Sequence, residues 1–98
     1  MEIIEKPIGP LFKGSAIDQK VRILTDPYLV PTVHGLVPAV MIENLTKRRD
    51  ETMIIHAKSL SEPLNAKRKT NNQTLAGLTV WIRKAGPSDK DLYVVNFL

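Results

Sequence analysis

Cysteine is absent from the 98 residues, which excludes a disulfide framework and any cysteine-ligated zinc site. Histidine is nearly absent too, with His34 and His56 alone, and neither an H-x-x-x-H nor an H-E-x-x-H spacing occurs. A histidine metal centre is therefore not expected, and no cofactor is. No G-x-S-x-G and no glycine-rich phosphate loop before a helix is present, so the common nucleophile and nucleotide-binding devices are missing and the chain reads as a non-enzyme. No apolar run approaches the roughly 18 residues of a membrane span. The first residues, Met1 to Lys6, include two glutamates, which is unlike a secretory leader, and a cytoplasmic location is expected. Aromatics are scarce at 5%, and Trp81 is the one tryptophan.

What remains is ordinary in bulk and informative in pattern. Apolar residues make up 43% and charged residues 24%, so the composition is that of a folded domain, and the length suits one. Fourteen Lys and Arg against ten Asp and Glu give a net charge of +4, a balance that favours anionic partners.

Residues 1–15 contain Pro7, Gly9, Pro10 and Gly14 and read as an irregular arm, with a short edge strand at Ile3–Ile4. A first strand is expected over 17–24, where Val21 and Ile23 alternate with Lys20 and Arg22. Asp26-Pro27, Pro31, Gly35 and Pro38 then predict a long loop or loosely paired hairpin arm over 26–38. Strands are expected over 39–45 and 52–58, joined by the charged turn Thr46-Lys47-Arg48-Arg49-Asp50-Glu51. Ser59 and Glu62 have capping-box spacing, Leu60 and Leu64 share a face, and Asn71-Asn72 ends the pattern, so a helix of two to three turns is predicted there. Strands over 78–84 and 92–97 follow, separated by a turn at Gly86-Pro87-Ser88-Asp89.

The fold class predicted is mostly β, a small five-stranded barrel over residues 16–98 with one short helix between its third and fourth strands. That element order, with the Lys20–Leu24 segment, the helix after Lys58, and Leu75–Lys84 followed by Tyr93-Val94-Val95, resembles OB-fold proteins of the single-stranded-DNA-binding type. The likeness is one of order and pattern over about Ala16 to Leu98. It implies a non-specific hold on single-stranded DNA or RNA, with a strand crossing the second and third strands between the first and last loops.

Period-two alternation supplies the site candidates. If Val80 and Ile82 face inward, Trp81 and Arg83 face outward together, and an indole beside a guanidinium is a platform for a flat base. Lys20 and Arg22, and likewise His56 and Lys58, lie on outward positions of their own strands. Tyr28 and His34 fall in the first loop, and Lys84 and Lys90 flank the last turn. Lys47, Arg48 and Arg49 form a basic cluster in the second hairpin, while Lys67-Arg68-Lys69 late in the helix suit its dipole. Each residue alone is ordinarily a solvated surface group. Other expectations from the same pattern are a protein-interaction or assembly module and a small RNA-binding subunit of a ribonucleoprotein. The apolar end Val94-Val95-Asn96-Phe97-Leu98 predicts either barrel closure or a homodimer contact.

Overall fold

The computed structural model describes residues 10–33, 35–86 and 92–98. Expectations for Ile3–Ile4, His34, the turn after Gly86 and Lys90 lie outside them. The chain is mostly β: β1 (Gln19–Ile23), β2 (Tyr28–Thr32), β3 (Gly35–Asn44), β4 (Arg49–Ile54), helix α1 (Lys58–Thr70), β5 (Thr79–Lys84) and β6 (Tyr93–Phe97).

All six strands belong to one sheet with antiparallel pairings, in the order β2-β3-β1-β5-β6, and β4 lies on the other edge of β3. β3 is ten residues long and takes two partners along one edge. Its start pairs with β2, from Thr32 opposite Gly35 to Tyr28 opposite Ala39, and its end pairs with β1, from Ile23 opposite Ile42 to Val21 opposite Asn44. Between them the ladder is carried by Leu24 N donating to Met41 O at 2.8 Å and Met41 N donating to the Thr25 hydroxyl at 3.1 Å. β1 and β2 thus run along β3 as one course broken at Asp26-Pro27.

Of the two forms expected over 26–38, a long loop or a loosely paired hairpin arm, the structure shows the hairpin. Its prolines fit because of phase. Ile55 N donates to Pro38 O at 2.9 Å, so residue 38 turns its polar backbone toward β4 and away from β2. Pro31, opposite Leu36 while Pro38 is opposite Leu29, shares that phase, and antiparallel ladders alternate their bonded pairs. Neither proline removes a bond from the β2–β3 ladder.

Val21, Ile23, Val40, Ile42, Met53, Val80 and Ile82 are fully buried on one face of the sheet. Leu60 and Leu64 of α1, with Leu75 just beyond it, close over them. The helix runs 13 residues, longer than expected, and its N-cap is Ala57 with no side-chain cap. The predicted capping box does not form, because the helix starts at Lys58 and Ser59 lies inside its first turn; Ser59 Oγ instead accepts from Tyr93 N at 3.0 Å and Glu62 pairs with Lys58 at 3.6 Å. α1 is thereby fastened to the start of β6.

Among the described residues the ladder does not close from β4 to β6. The N-terminal arm lies along the open side: Thr52 N donates to Pro10 O at 2.9 Å, Phe12 N to Thr52 O at 2.8 Å, and Lys84 N to Ser15 O at 2.7 Å. Phe12 packs against the main core. A second, smaller cluster of Tyr28, Val30, Val37 and Ala39, with Met41 and Ile54 against it, occupies the opposite face of the β2–β3–β4 region, as the register requires.

Candidate functional site

The face of β1 and β5 turned away from the core carries three cross-strand rows. In the middle row Lys20 is opposite Trp81, and Trp81 is opposite Asn96. Trp81 is half-buried, with Lys20 Nζ 5.8 Å from its ring centre, inside the range for cation–π attraction. The row at the end of β5, just before the start of β1, sets Arg83 beside Asp18, with Nε to Oδ1 at 3.8 Å. The third row runs from Asp50 to Glu43 to Arg22 to Thr79, and Arg22 Nη1 meets Glu43 Oε1 at 3.2 Å.

The turn joining β3 to β4 is hooked onto the middle row. Lys20 N donates to Thr46 Oγ1 at 2.8 Å, and Leu45 N donates to Lys20 O at 2.8 Å. The turn is shaped by Arg48, whose φ of 58° lies in the left-handed region. Lys47 and Arg48 are exposed and form no ion pair among the described residues. Two cations thus stand next to the strand residue that flanks the indole.

Beneath that turn lies a buried polar network that sequence reasoning missed. Asn44 Nδ2 donates to Gln19 Oε1 at 3.0 Å and to Glu51 Oε1 at 2.8 Å. Asn44 Oδ1 accepts from Thr46 N and Lys47 N, and Arg49 Nε donates to Glu51 Oε2 at 2.8 Å. Gln19, Asn44 and Glu51 are all buried. Inward phase with Val21, Ile42 and Met53 was the available signal, since residues two apart share a face.

The predicted residues divide accordingly. Lys20, Trp81, Arg83, Arg22, Lys47 and Arg48 share this region of the molecule. Arg49 is engaged by Glu51, and Lys58 by Glu62. Tyr28, expected to stack bases, is 5% exposed within the second cluster, because Tyr28 and Val30 pair with Ala39 and Val37 on a covered patch. Lys84 is buried at 9%, with its Nζ 5.3 Å from the Tyr93 ring centre; it keeps the inward phase of Val80 and Ile82. His56 is exposed at a separate place, beside an apolar depression of about 440 Å³ that also touches Leu11, Val33, Val37 and Ile54. Lys67 lies over Phe97, with Nζ 5.6 Å from the ring centre, on the helix side.

The Asp26 carboxylate is perturbed. Asp26 Oδ1 accepts from Leu75 N at 2.7 Å and Thr74 Oγ1 at 2.8 Å. The Leu75 amide first, then the Thr74 hydroxyl, hold its pKa below the ordinary value, and the Arg68 charge adds to this. The bond ties the break between β1 and β2 to the loop after α1. No group of His, Asp and Glu suited to a metal ion occurs among the described residues, and none of their helices is long and apolar enough to cross a membrane. Comparison with protein-family models, curated proteins and solved structures gives no match.

Proposed function

We propose that the chain is a cytoplasmic, non-enzymatic module that binds single-stranded nucleic acid through Trp81 and the cations around it. The observation that carries this reading is the Lys20–Trp81 pair with the Lys47–Arg48 turn bonded directly to Lys20. A base stacked on the indole would displace Lys20 Nζ from the ring and leave it beside the adjoining phosphate. Lys47 and Arg48 would continue the phosphate track off the end of the sheet. Stacking of this kind contributes about 1–3 kcal/mol per base and tolerates every base.

The footprint proposed is narrower than the sequence pattern implied: Lys20, Trp81, Lys47 and Arg48, with Arg83 at its margin. Arg22 and Glu43 neutralise each other, and Asp50 beyond them makes that side unfavourable for a phosphate. An OB-like barrel is the architecture we infer for it. Taking β1 and β2 as one interrupted strand gives five strands, with the helix after the third, and barrels of that family are partly open.

Fluorescein-labelled oligo-dT titrated at several salt concentrations tests the proposal. Three cations meeting three phosphates predict a log–log slope of about −2, and Trp81 emission should quench in step. Trp81→Ala should weaken binding about 5- to 150-fold while the far-ultraviolet circular dichroism is unchanged. Binding indifferent to both salt and Trp81 refutes the reading.

A second reading has its own observation. Val33 is 96% and Leu36 51% exposed at the tip of the β2–β3 hairpin, beside the apolar depression, which favours a protein-docking or self-association role. Light scattering on the eluting protein separates them, since a stable oligomer with no oligonucleotide affinity supports only the second.

A further inference from the structure

Arg48 holds its φ at 58°, in the left-handed region where a residue carrying a Cβ is strained. The cause is local to the hairpin. Arg48 N donates to Asn44 O at 2.7 Å, while Asn44 stands opposite Arg49 in the ladder. Two successive residues therefore face one, a β-bulge whose first residue is left-handed, and that position ordinarily takes glycine. Glycine would make the same backbone bond without the strain.

The other left-handed side-chain residues have reasons inside the fold. Asparagine tolerates the region, which accounts for Asn72 at 54°. Gln73, at 62°, is gripped by Arg68, whose Nε donates to Gln73 O at 3.1 Å and whose carbonyl accepts from Gln73 N at 3.0 Å. Nothing comparable holds Arg48. Its side chain is exposed and makes no hydrogen bond or ion pair among the described residues, whereas the next guanidinium, Arg49, is taken up by Glu51. The turn that carries it is fixed from below by Asn44 and tied to Lys20 by Thr46. Strain that no internal contact offsets, on a turn so firmly set, points to a contact made outside the fold.

We infer that Arg48 is the principal phosphate contact of the site, closing its planar fork on both free oxygens of one phosphodiester, and that the chain keeps it there at a standing loss of stability; the inference rests on the nucleic-acid reading above. Lys20 and Lys47 offer point charges that attract any polyanion. A guanidinium meets two oxygens of one phosphate with two parallel bonds, which adds geometry to charge. Because the turn is already set, no loop has to be ordered when the phosphate arrives.

The test sets stability against affinity for oligo-dT in variants of the whole chain. Arg48→Gly should raise the melting temperature by about 2–6 °C, yet weaken binding about 10- to 100-fold and flatten the log–log salt slope by about 0.7. Arg48→Lys keeps the charge and the strained backbone but loses the fork, so its salt slope should hold while affinity falls about three- to tenfold. Lys47→Gln should lose less affinity than Arg48→Gly. An Arg48→Gly chain that melts no higher than the natural one, or binds as tightly, overturns the assignment, and so does a greater loss in Lys47→Gln; salt-dependent binding with Trp81 quenching in the natural chain then leaves the parent reading standing. Arg48→Lys at the natural affinity overturns the two-oxygen contact. Absence of oligo-dT binding by the natural chain, with Trp81 emission unchanged, overturns both readings.

Discussion

Asn44 Nδ2 lies 2.8 Å from Glu51 Oε1, and both residues are completely buried. The carboxylate is sustained there because Arg49 takes its other oxygen at 2.8 Å. A buried charge costs little only while every lone pair is met. Asn44→Ala removes a donor from Glu51 and from Gln19 at once, and strips the acceptor from the Thr46 and Lys47 amides. The expected loss is about 2–4 kcal/mol in urea unfolding. The isosteric Asn44→Asp should cost at least as much at pH 7, since it sets two carboxyl groups face to face. Stability within about 0.5 kcal/mol of the parent in both variants, the usual size of a surface effect, would show that the network does not hold the turn.

Gly14 is required by its neighbours. A Cβ there would lie 2.6 Å from Tyr93 Cε1 and 3.3 Å from Lys84 Cγ and Cε. The Tyr93 ring has little room to yield, with Lys84 Nζ over it and its own backbone N–H bonded to Ser59. Gly14→Ala should destabilise by about 1–3 kcal/mol through overpacking. Adding Tyr93→Leu removes the clashing ring, so the double variant should lose less than the sum of the single losses. Strict additivity would place the cost elsewhere.

Asp26 links stability to acid. Its pKa is lowered in the folded chain, first by the Leu75 amide and then by the Thr74 hydroxyl. A lowered folded value means that folding favours the ionised form. The contribution is therefore full above the unfolded carboxylate value of about 3.9, and it fades as pH falls through the lower folded value. Asp26→Asn should reduce the melting temperature at pH 7, and its deficit should shrink through the acid range until the two curves meet. A deficit that is constant with pH would mean that the charge is irrelevant and only the shape of the turn counts.

Much of this fold could be read from alternation. Val21 and Ile23, Val80 and Ile82, and the pair Leu60 and Leu64 are inward as their spacing requires, and Trp81 and Arg83 are outward for the same reason. Alternation gives a phase within one strand and says nothing about which strand lies alongside. For that reason the ion partners of Arg22 and Arg83, namely Glu43 and Asp18, were invisible until the register was known. The β2–β3 hairpin was legible only as one of two alternatives, because Pro31 and Pro38 break a strand only on a bonded phase, and phase is a property of the pairing. Tyr28 was assigned to a surface because its segment reads as a loop or a loose arm; paired opposite Ala39, it is covered. Ser59 had the right spacing to cap α1, but the helix starts one residue earlier, at Lys58, and the Ser59 hydroxyl accepts from Tyr93 N instead.

The Arg22–Glu43 pair gives the face its charge boundary, and altering it separates stability from binding. Both side chains are well exposed, at 49% and 39%, so the pair contributes about 0–1 kcal/mol to folding. Glu43→Gln should therefore leave the melting temperature nearly unchanged. Its effect on a bound polyanion is larger in kind: one negative charge leaves the row next to Trp81, and Arg22 loses its carboxylate partner. Arg22 then becomes available to a phosphate, so affinity for oligo-dT should rise about two- to fivefold at low salt, while the log–log salt slope steepens by about 0.7. Arg22→Gln in the same background should restore the parent slope. A Glu43→Gln chain with unchanged affinity and slope would mean that the strand never approaches this side of the indole, and would confine the footprint to Lys20, Lys47 and Arg48.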